Sequence, residues 1–211
     1  MENQQQTLRA EIYFLLSTLY RKCPDQELLD FLSDIETEDA PSDMQRAWQG
    51  LIEAAQNAKL DALEDEYQDL FIGIGRGEVV PFASWHRTGS LMEKPLADIR
   101  HDLERLGFQR EEGVKEPEDH IAALCEVMAL ISSEDEKRQQ AFFNHHIAAW
   151  FEKLVEQIKQ AEHANFYRAV AQFTTTYLSL EQVRFSENTY SNKNKRKIDV
   201  KNVTEYDQSQ Q

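Results

Sequence analysis

Apolar residues recur at intervals of three and four positions along most of this 211-residue chain. That spacing places them on one face of an α-helix. No segment alternates apolar and polar residues in the way that a half-buried strand does. The pattern therefore predicts an all-α protein, a single bundle of about eight helices. The predicted helices are 8–19, 25–35, 44–52, 60–71, 95–106, 117–131, 134–159 and 165–180.

The last part of the chain has a different composition. Residues 184–211 are polar and carry a basic cluster at Lys193, Lys195, Arg196 and Lys197. A segment with so few apolar residues cannot bury enough surface to offset the entropy that folding removes. The sequence therefore predicts a helical domain over 1–183 and a disordered tail over 184–211.

The helical period fails over residues 73–86, between the fourth and fifth predicted helices. This stretch combines Gly73, Gly75 and Gly77 with aromatic and β-branched residues. Loops of this length are usually functional or disordered, and this composition is not typical of disorder. No strand precedes the glycines and no Gly-Lys-Ser/Thr follows them, so an adaptable loop is favoured over a phosphate-binding loop.

A second unusual stretch, Glu116-Pro117-Glu118-Asp119-His120, opens the sixth predicted helix. Proline suits the first helical position, and acidic residues are favoured in the first turn by the helix dipole. These rules do not explain His120, which the helical period places at the rim of an apolar face. Capping with a half-buried histidine is the favoured interpretation, and a binding or catalytic site is the alternative.

Charge and cysteine content narrow the class of partner and the compartment. A formal net charge of −15 disfavours a nucleic acid or an anionic membrane as the main partner and favours a basic one. Cys23 and Cys125 have no spacing typical of a metal site or disulfide framework, which indicates a reducing compartment. The N-terminus lacks a basic segment followed by an apolar one, and no apolar run reaches membrane-spanning length. We therefore expect a cytoplasmic protein without stable membrane insertion.

The usual catalytic and metal-binding patterns are missing from the sequence. None of the six histidines has a glutamate three residues before it, as a di-iron carboxylate bundle requires. His145 and His146 are adjacent, and neighbouring positions on a helix point about 100° apart, so surface or interface roles are expected. Ser84 and Ser90 lack the strained turn of a serine nucleophile. We therefore predict no catalytic residue, no metal site and no enzyme.

Three motifs in order carry a resemblance to a known family: Glu-Tyr-Gln-Asp-Leu-Phe-Ile-Gly at 66–73, Pro-Phe-Ala-Ser at 81–84 and Glu-Pro-Glu-Asp-His at 116–120. Over residues 8–180 the chain resembles the TorD/DmsD family of cytoplasmic redox-enzyme maturation chaperones, and its TorD branch most. The resemblance implies an all-helical, non-enzymatic protein that binds a twin-arginine signal peptide and an apo-molybdoenzyme. Such a client is a TMAO/DMSO reductase or a formate dehydrogenase, held until its molybdenum cofactor is inserted and export begins. The resemblance also implies a monomer or a domain-swapped homodimer, no resident cofactor, and weak binding of GTP.

By matching position, the resemblance implies a peptide-binding region at Leu70, Phe71, Gly73, Pro81, Phe82, Ser84, Asp119 and His120. Physical chemistry adds Trp85, which extends an apolar trough, and Glu118, whose carboxylate can accept bidentate bonds from arginine. Our hypothesis is that the 73–86 loop and the 116–120 stretch form two walls of one groove. An acidic helical adaptor for another basic protein, without an export role, is the alternative function. Nucleotide hydrolysis at the glycine loop is a third hypothesis.

Overall fold

The computed structural model describes residues 2–37, 41–73 and 76–190. Within these residues the chain forms ten α-helices and one π-helical turn, and no strand, which confirms the predicted all-α class. The turn at Gln68–Ile72 continues α4. None of the described helices is both long enough and apolar enough to span a bilayer. The helices are α1 Glu2–Arg21, α2 Gln26–Ser33, α3 Asp43–Asn57, α4 Leu60–Tyr67, α5 Ala83–Thr88, α6 Lys94–Leu106, α7 Ile121–Leu130, α8 Glu136–His146, α9 Phe151–Gln160 and α10 Phe166–Tyr190.

The core lies between two sets of packed helices. α1 packs along α7, and α10 packs along α3 and α9. Helix α7 is buried on nearly all sides, which agrees with its almost wholly apolar sequence. Large aromatic side chains fill the centre, among them Tyr13, Tyr20, Trp150 and Phe173.

The helix predicted over 134–159 is in fact two helices. α8 ends at His146 and α9 begins at Phe151, with a short turn between them. The indole of Trp150 is buried and its Nε1 donates to the carbonyl of His146 at 2.6 Å. The turn itself places Ile147 and Trp150 in the core. The sequence therefore keeps an apolar residue at these positions although the helix is interrupted.

Helix α10 extends to Tyr190, ten residues beyond its predicted end at Leu180. The polar sequence from Glu181 onward suggested that the helix had ended, but Glu181 is buried and accepts two hydrogen bonds from Arg9 of α1, at 2.6 and 3.0 Å. Phe185 lies fully in the core against Phe143. The predicted basic cluster, with the rest of the tail over 191–211, lies outside the described residues.

A buried carboxylate joins α4 to the start of α10. Glu66 is 7% exposed, and its carboxylate accepts the backbone N–H groups of Asn165, Phe166 and Tyr167 at 2.8, 3.0 and 2.8 Å. These are the N–H groups that have no partner inside the helix. A negative charge at this position also interacts favourably with the helix dipole. Glu66, the first residue of the first family motif, thus caps a helix about 100 residues away in the sequence.

Candidate functional site

The 73–86 loop and the 116–120 stretch are paired directly through their backbones. Phe82 and His120 form an isolated antiparallel bridge. The N–H of Ile121 donates to the carbonyl of Pro81, and that of Ala83 to the carbonyl of Asp119, both at 2.9 Å. The structure therefore brings the two segments together, as expected, but as one continuous surface. The groove predicted between them is closed by this pairing.

The carboxylate of Asp119 is already engaged by a hydrogen bond within the protein. Its side chain is buried, and Oδ2 accepts the N–H of Ser84 at 2.9 Å, in the first turn of α5. The prediction that this acid caps its own helix is therefore wrong. It caps α5, because the backbone bridge places it beside that helix rather than in the first turn of α7. A guanidinium from a ligand has no access to this carboxylate in the described conformation.

His120 is the N-cap of α7. The helix begins at Ile121, so the prediction of Pro117 at its first position was also wrong. The Nδ1 atom of His120 accepts the N–H of Ala122 at 3.1 Å, and the ring lies edge-on to Phe82 at 4.9 Å between centroids. Burial, with a smaller contribution from the charge of Arg21, lowers the pKa of His120 to about 3. The imidazole is therefore neutral near pH 7 and acts as a hydrogen-bond acceptor rather than as a cation.

The end of the glycine loop, residues 77–79, is held against the π-helical turn, whereas Ile74 and Gly75 lie outside the described residues. Val79 donates to the carbonyl of Leu70 at 2.8 Å, and Glu78 donates to that of Asp69 at 3.1 Å. A β-carbon on Gly77 would lie 2.3 Å from the Leu70 oxygen, so no other residue fits without movement of the backbone. This glycine is thus explained by close backbone packing.

The ten predicted site residues differ in their access to solvent. Trp85 is half-buried, with the guanidinium of Arg76 stacked on its ring at 4.7 Å. Phe71 packs against Tyr67 and Tyr167 in the aromatic core. Half of the ten residues are buried and so position their neighbours rather than offer a contact surface. The buried residues are Leu70, Pro81, Ser84, Asp119 and His120, and the partly exposed ones are Phe71, Gly73, Phe82, Trp85 and Glu118.

An open cleft lies on the other side of the 116–120 stretch. Its volume is about 290 Å³, and it is enclosed by the end of α6, the 107–118 segment and α7. We call it the acidic cleft. Its apolar lining comprises Leu103, Phe108, Val114, Ala123, Val127 and Leu130, and its carboxylates are Glu111, Glu116, Glu118 and Glu126.

Only Glu118 and His120 of the acidic cleft belong to the set predicted from the sequence. The segment 109–115 lies between the fifth and sixth predicted helices, and nothing in its local pattern shows that it folds over α7. The sequence feature that indicates a site here is the density of glutamates over residues 111–118, which include Glu111, Glu112, Glu116 and Glu118. Carboxylates so close together repel one another unless cations are near.

Arginines of the chain supply those cations. Arg100 of α6 donates through Nε to Oε2 of Glu118 at 2.9 Å, and Nε of Arg110 lies 3.8 Å from Oε1 of the same carboxylate. On the opposite wall, Arg21 of α1 is paired with Glu126 of α7. The Glu118 side chain is 14% exposed, whereas those of Arg100 and Arg110 are 52% and 40% exposed. The acid thus lies inside and its arginine partners lie at the surface.

His145 and His146 converge on Asp102, whereas the helical period predicts that neighbouring positions point apart. His146 is fully buried, and its Nε2 lies 2.8 Å from Oδ2 of Asp102, while Nδ1 of His145 lies 3.6 Å from the same oxygen. Burial lowers the pKa of His146, so a neutral ring hydrogen-bonded to the carboxylate accounts for this contact. The three groups lie within 4.8 Å, but Arg105 also pairs with Asp102, and this competing cation disfavours a metal ion there.

Comparison with known proteins agrees with the fold and the motifs. The sequence profile described as nitrate reductase delta subunit matches residues 37–156, more than half of the chain. The TorD chaperone of Vibrio parahaemolyticus is 26% identical over 199 residues, and that of Aliivibrio fischeri is 28% identical over 199 residues. Each alignment covers 82% of this chain and 92% of the relative.

A solved structure has the same fold. The crystal structure described as that of a redox enzyme maturation protein from Archaeoglobus fulgidus superposes with a TM-score of 0.57 at 18% identity, over 81% of this chain and 93% of the other. The curated relatives are named as chaperones, in agreement with the predicted absence of an enzymatic role. The chain therefore belongs to the nitrate reductase delta subunit family, as its motif resemblance to TorD-type maturation chaperones predicted.

Proposed function

We propose that this protein is a cytoplasmic chaperone for a molybdenum-cofactor oxidoreductase. It binds the twin-arginine signal peptide and the apo-form of the client, assists cofactor insertion and delays export until maturation is complete. Family membership and the TorD relatives support the chaperone role. The acidic cleft is the observation that supports the peptide as ligand.

The chemistry of the acidic cleft matches that of a twin-arginine leader. Such a leader presents two adjacent guanidiniums followed by an apolar segment that readily forms a helix. The carboxylates of Glu116 and Glu118 can accept paired N–H bonds from guanidinium groups. The apolar side chains that line the cleft, among them Leu103, Val127 and Leu130, offer a surface for the apolar segment of the leader.

The charge of the whole protein favours the same ligand. A net charge of −15 attracts a basic peptide over distances up to the Debye length, about 8 Å at physiological salt. This attraction raises the rate of association more than the final affinity. The contacts within the acidic cleft then determine which basic peptide remains bound.

The proposal assigns the two family motifs around the bridge a positioning role. Asp119 and His120 fix the ends of α5 and α7, and therefore the position of Glu118 at the wall of the cleft. A folded Asp119→Ala/His120→Ala double variant is expected to bind a leader peptide more weakly, because Glu118 loses its fixed position.

The direct test is binding of a labelled twin-arginine leader peptide to wild type and to Glu118→Gln. The matched control is Glu112→Gln, which changes the charge equally on the same segment but does not line the cleft. We expect Glu118→Gln to weaken binding at least about ten-fold, close to the lower end of the range for a hydrogen bond to a charged group, and Glu112→Gln to have little effect. Equal affinities of the two variants would remove the acidic cleft from the proposed site.

A second experiment separates the chaperone from the alternative adaptor. The protein is co-purified with the client in its precursor and mature forms. A maturation chaperone retains the precursor with its leader and releases the mature enzyme, whereas an adaptor for a basic surface retains both. A thermal shift with GTP tests separately the nucleotide binding that the family resemblance implies.

A further inference from the structure

Glu118, the most enclosed carboxylate of the acidic cleft, is already bound on both sides by guanidiniums. Arg100 approaches it from α6 and Arg110 from the 107–118 segment, at 2.9 and 3.8 Å. These two arginines come from different elements and meet on one carboxylate only in the folded chain. Each oxygen of Glu118 already faces a cation, so a ligand guanidinium that pairs with both oxygens must compete with these two arginines.

We propose that Arg100 and Arg110 are internal competitors of the ligand and lower its affinity for Glu118. This inference rests on the proposed function. The pair presents to Glu118 the same two guanidinium groups that a twin-arginine leader presents. A ligand that supplies both can replace both, so the carboxylate never loses its charge partners during the exchange.

The Glu118 carboxylate itself distinguishes arginine from lysine. Arginine offers a planar fork that binds a carboxylate through two parallel bonds, whereas lysine is a compact point charge. A pair of lysines must therefore displace two guanidiniums with weaker contacts. Displacing Arg100 and Arg110 costs the same for either ligand, so the internal competitors lower both affinities and leave the ratio between them unchanged.

The structure allows the two arginines to leave. Both side chains are about half exposed, so water already screens the ion pairs that the ligand would break. Arg110 lies between Gly107 and Gly113, which have φ of 82° and 101° and tolerate backbone conformations that other residues avoid. A hollow of about 410 Å³ adjoins Glu118 and is lined by both arginines, which gives the guanidiniums room to move.

The test compares Arg100→Gln, Arg110→Gln and the double variant with wild type, using the full chain and leader peptides that carry either two arginines or two lysines. Arg105→Gln is the matched control, because it removes the same charge from α6 at a residue that pairs with Asp102 instead. Arg100→Lys keeps the charge but not the fork, and unfolding temperatures confirm that each variant is folded.

We expect each single variant to bind the twin-arginine peptide about two- to five-fold more tightly than Arg105→Gln, the range for a partly exposed ion pair. The double variant binds the lysine peptide more tightly by a similar factor, because both peptides displace the same ion pairs, and Arg100→Lys lies between wild type and Arg100→Gln. If wild type binds the peptide and the two variants bind it no more tightly than Arg105→Gln, the competitor role is wrong while the proposed function stands. If neither wild type nor the double variant binds it, both are wrong.

Discussion

Removal of the Glu66 carboxylate tests how much one buried acid contributes to joining α4 to α10. In Glu66→Ala, the N–H groups of Asn165, Phe166 and Tyr167 lose their acceptor together. Glu66→Gln keeps one oxygen acceptor and replaces the other by an amide donor, which repels the N–H group that it faces. The two variants should therefore form a graded series.

The magnitude follows from the count of bonds. A buried N–H group left without a partner costs about 1–3 kcal/mol. A cavity of about 620 Å³ adjoins Glu66 and is lined by Asn165 and Phe166, so water can reach part of the vacated space. The lower end of the range therefore applies, and Glu66→Ala is expected to lower the free energy of unfolding by about 3 kcal/mol. Glu66→Gln is expected to cost about half of that, and a domain of this size loses about 2–4 °C in Tm per kcal/mol.

Urea unfolding followed by far-UV circular dichroism measures these differences. The control is Glu64→Ala, which removes the same charge from an exposed position of α4. It should change the free energy of unfolding by less than about 0.5 kcal/mol, as exposed substitutions usually do. If Glu66→Ala and Glu64→Ala agree within that margin, the three N–H groups do not depend on Glu66 and the reasoning is refuted.

Two further predictions concern the glycine loop and His120. Gly77→Ala should destabilise the protein by about 2 kcal/mol or more, since its β-carbon meets the Leu70 carbonyl at 2.3 Å. Gly50→Ala, in open space within α3, should stabilise it by about 0.5–1 kcal/mol, so urea titrations that give the same sign for both contradict this packing argument. The pKa of His120 is about 3 in the folded state and 6.5 for an ordinary histidine, so the unfolded state binds more protons between pH 3 and 6.5. The free energy of unfolding therefore falls on acidification through this range, by up to about 1.4 kcal/mol per pH unit. His120→Asn keeps a capping acceptor that does not titrate and should reduce this dependence in unfolding titrations at several pH values. An unchanged slope would show that His120 does not contribute.

The predicted helices and the observed ones differ where tertiary contacts decide a helix end. The sequence between Ile147 and Trp150 keeps an apolar period, yet the chain turns there. The turn is stabilised by the buried Trp150 indole, whose Nε1 donates to the carbonyl of His146. The polar residues near Glu181 suggested an end, yet the helix continues because Arg9 neutralises that carboxylate inside the core. A local sequence pattern indicates which residues are buried and which favour a helix. It does not show which distant residue provides the contact that ends or extends the helix.

The candidate site shows the same division. The motifs drew attention to the 81–84 and 116–120 segments, and the structure joins them through the Phe82–His120 bridge. The sequence could not show that Asp119 caps α5 or that Glu118 already holds two arginines, because these contacts join residues 8 to 35 positions apart in different elements. The acidic cleft was missed for the same reason.

The sequence by itself determined the all-α class, the acidic charge and the family, because these depend on local periodicity, on composition and on motif order. The tertiary structure alone decided which acids are available to a ligand. Asp119 and Glu118 are neighbours in the chain, but one is buried against a helix end and the other faces the cleft. The accessibility of a carboxylate depends on the elements packed around it, and residues distant in sequence provide that packing.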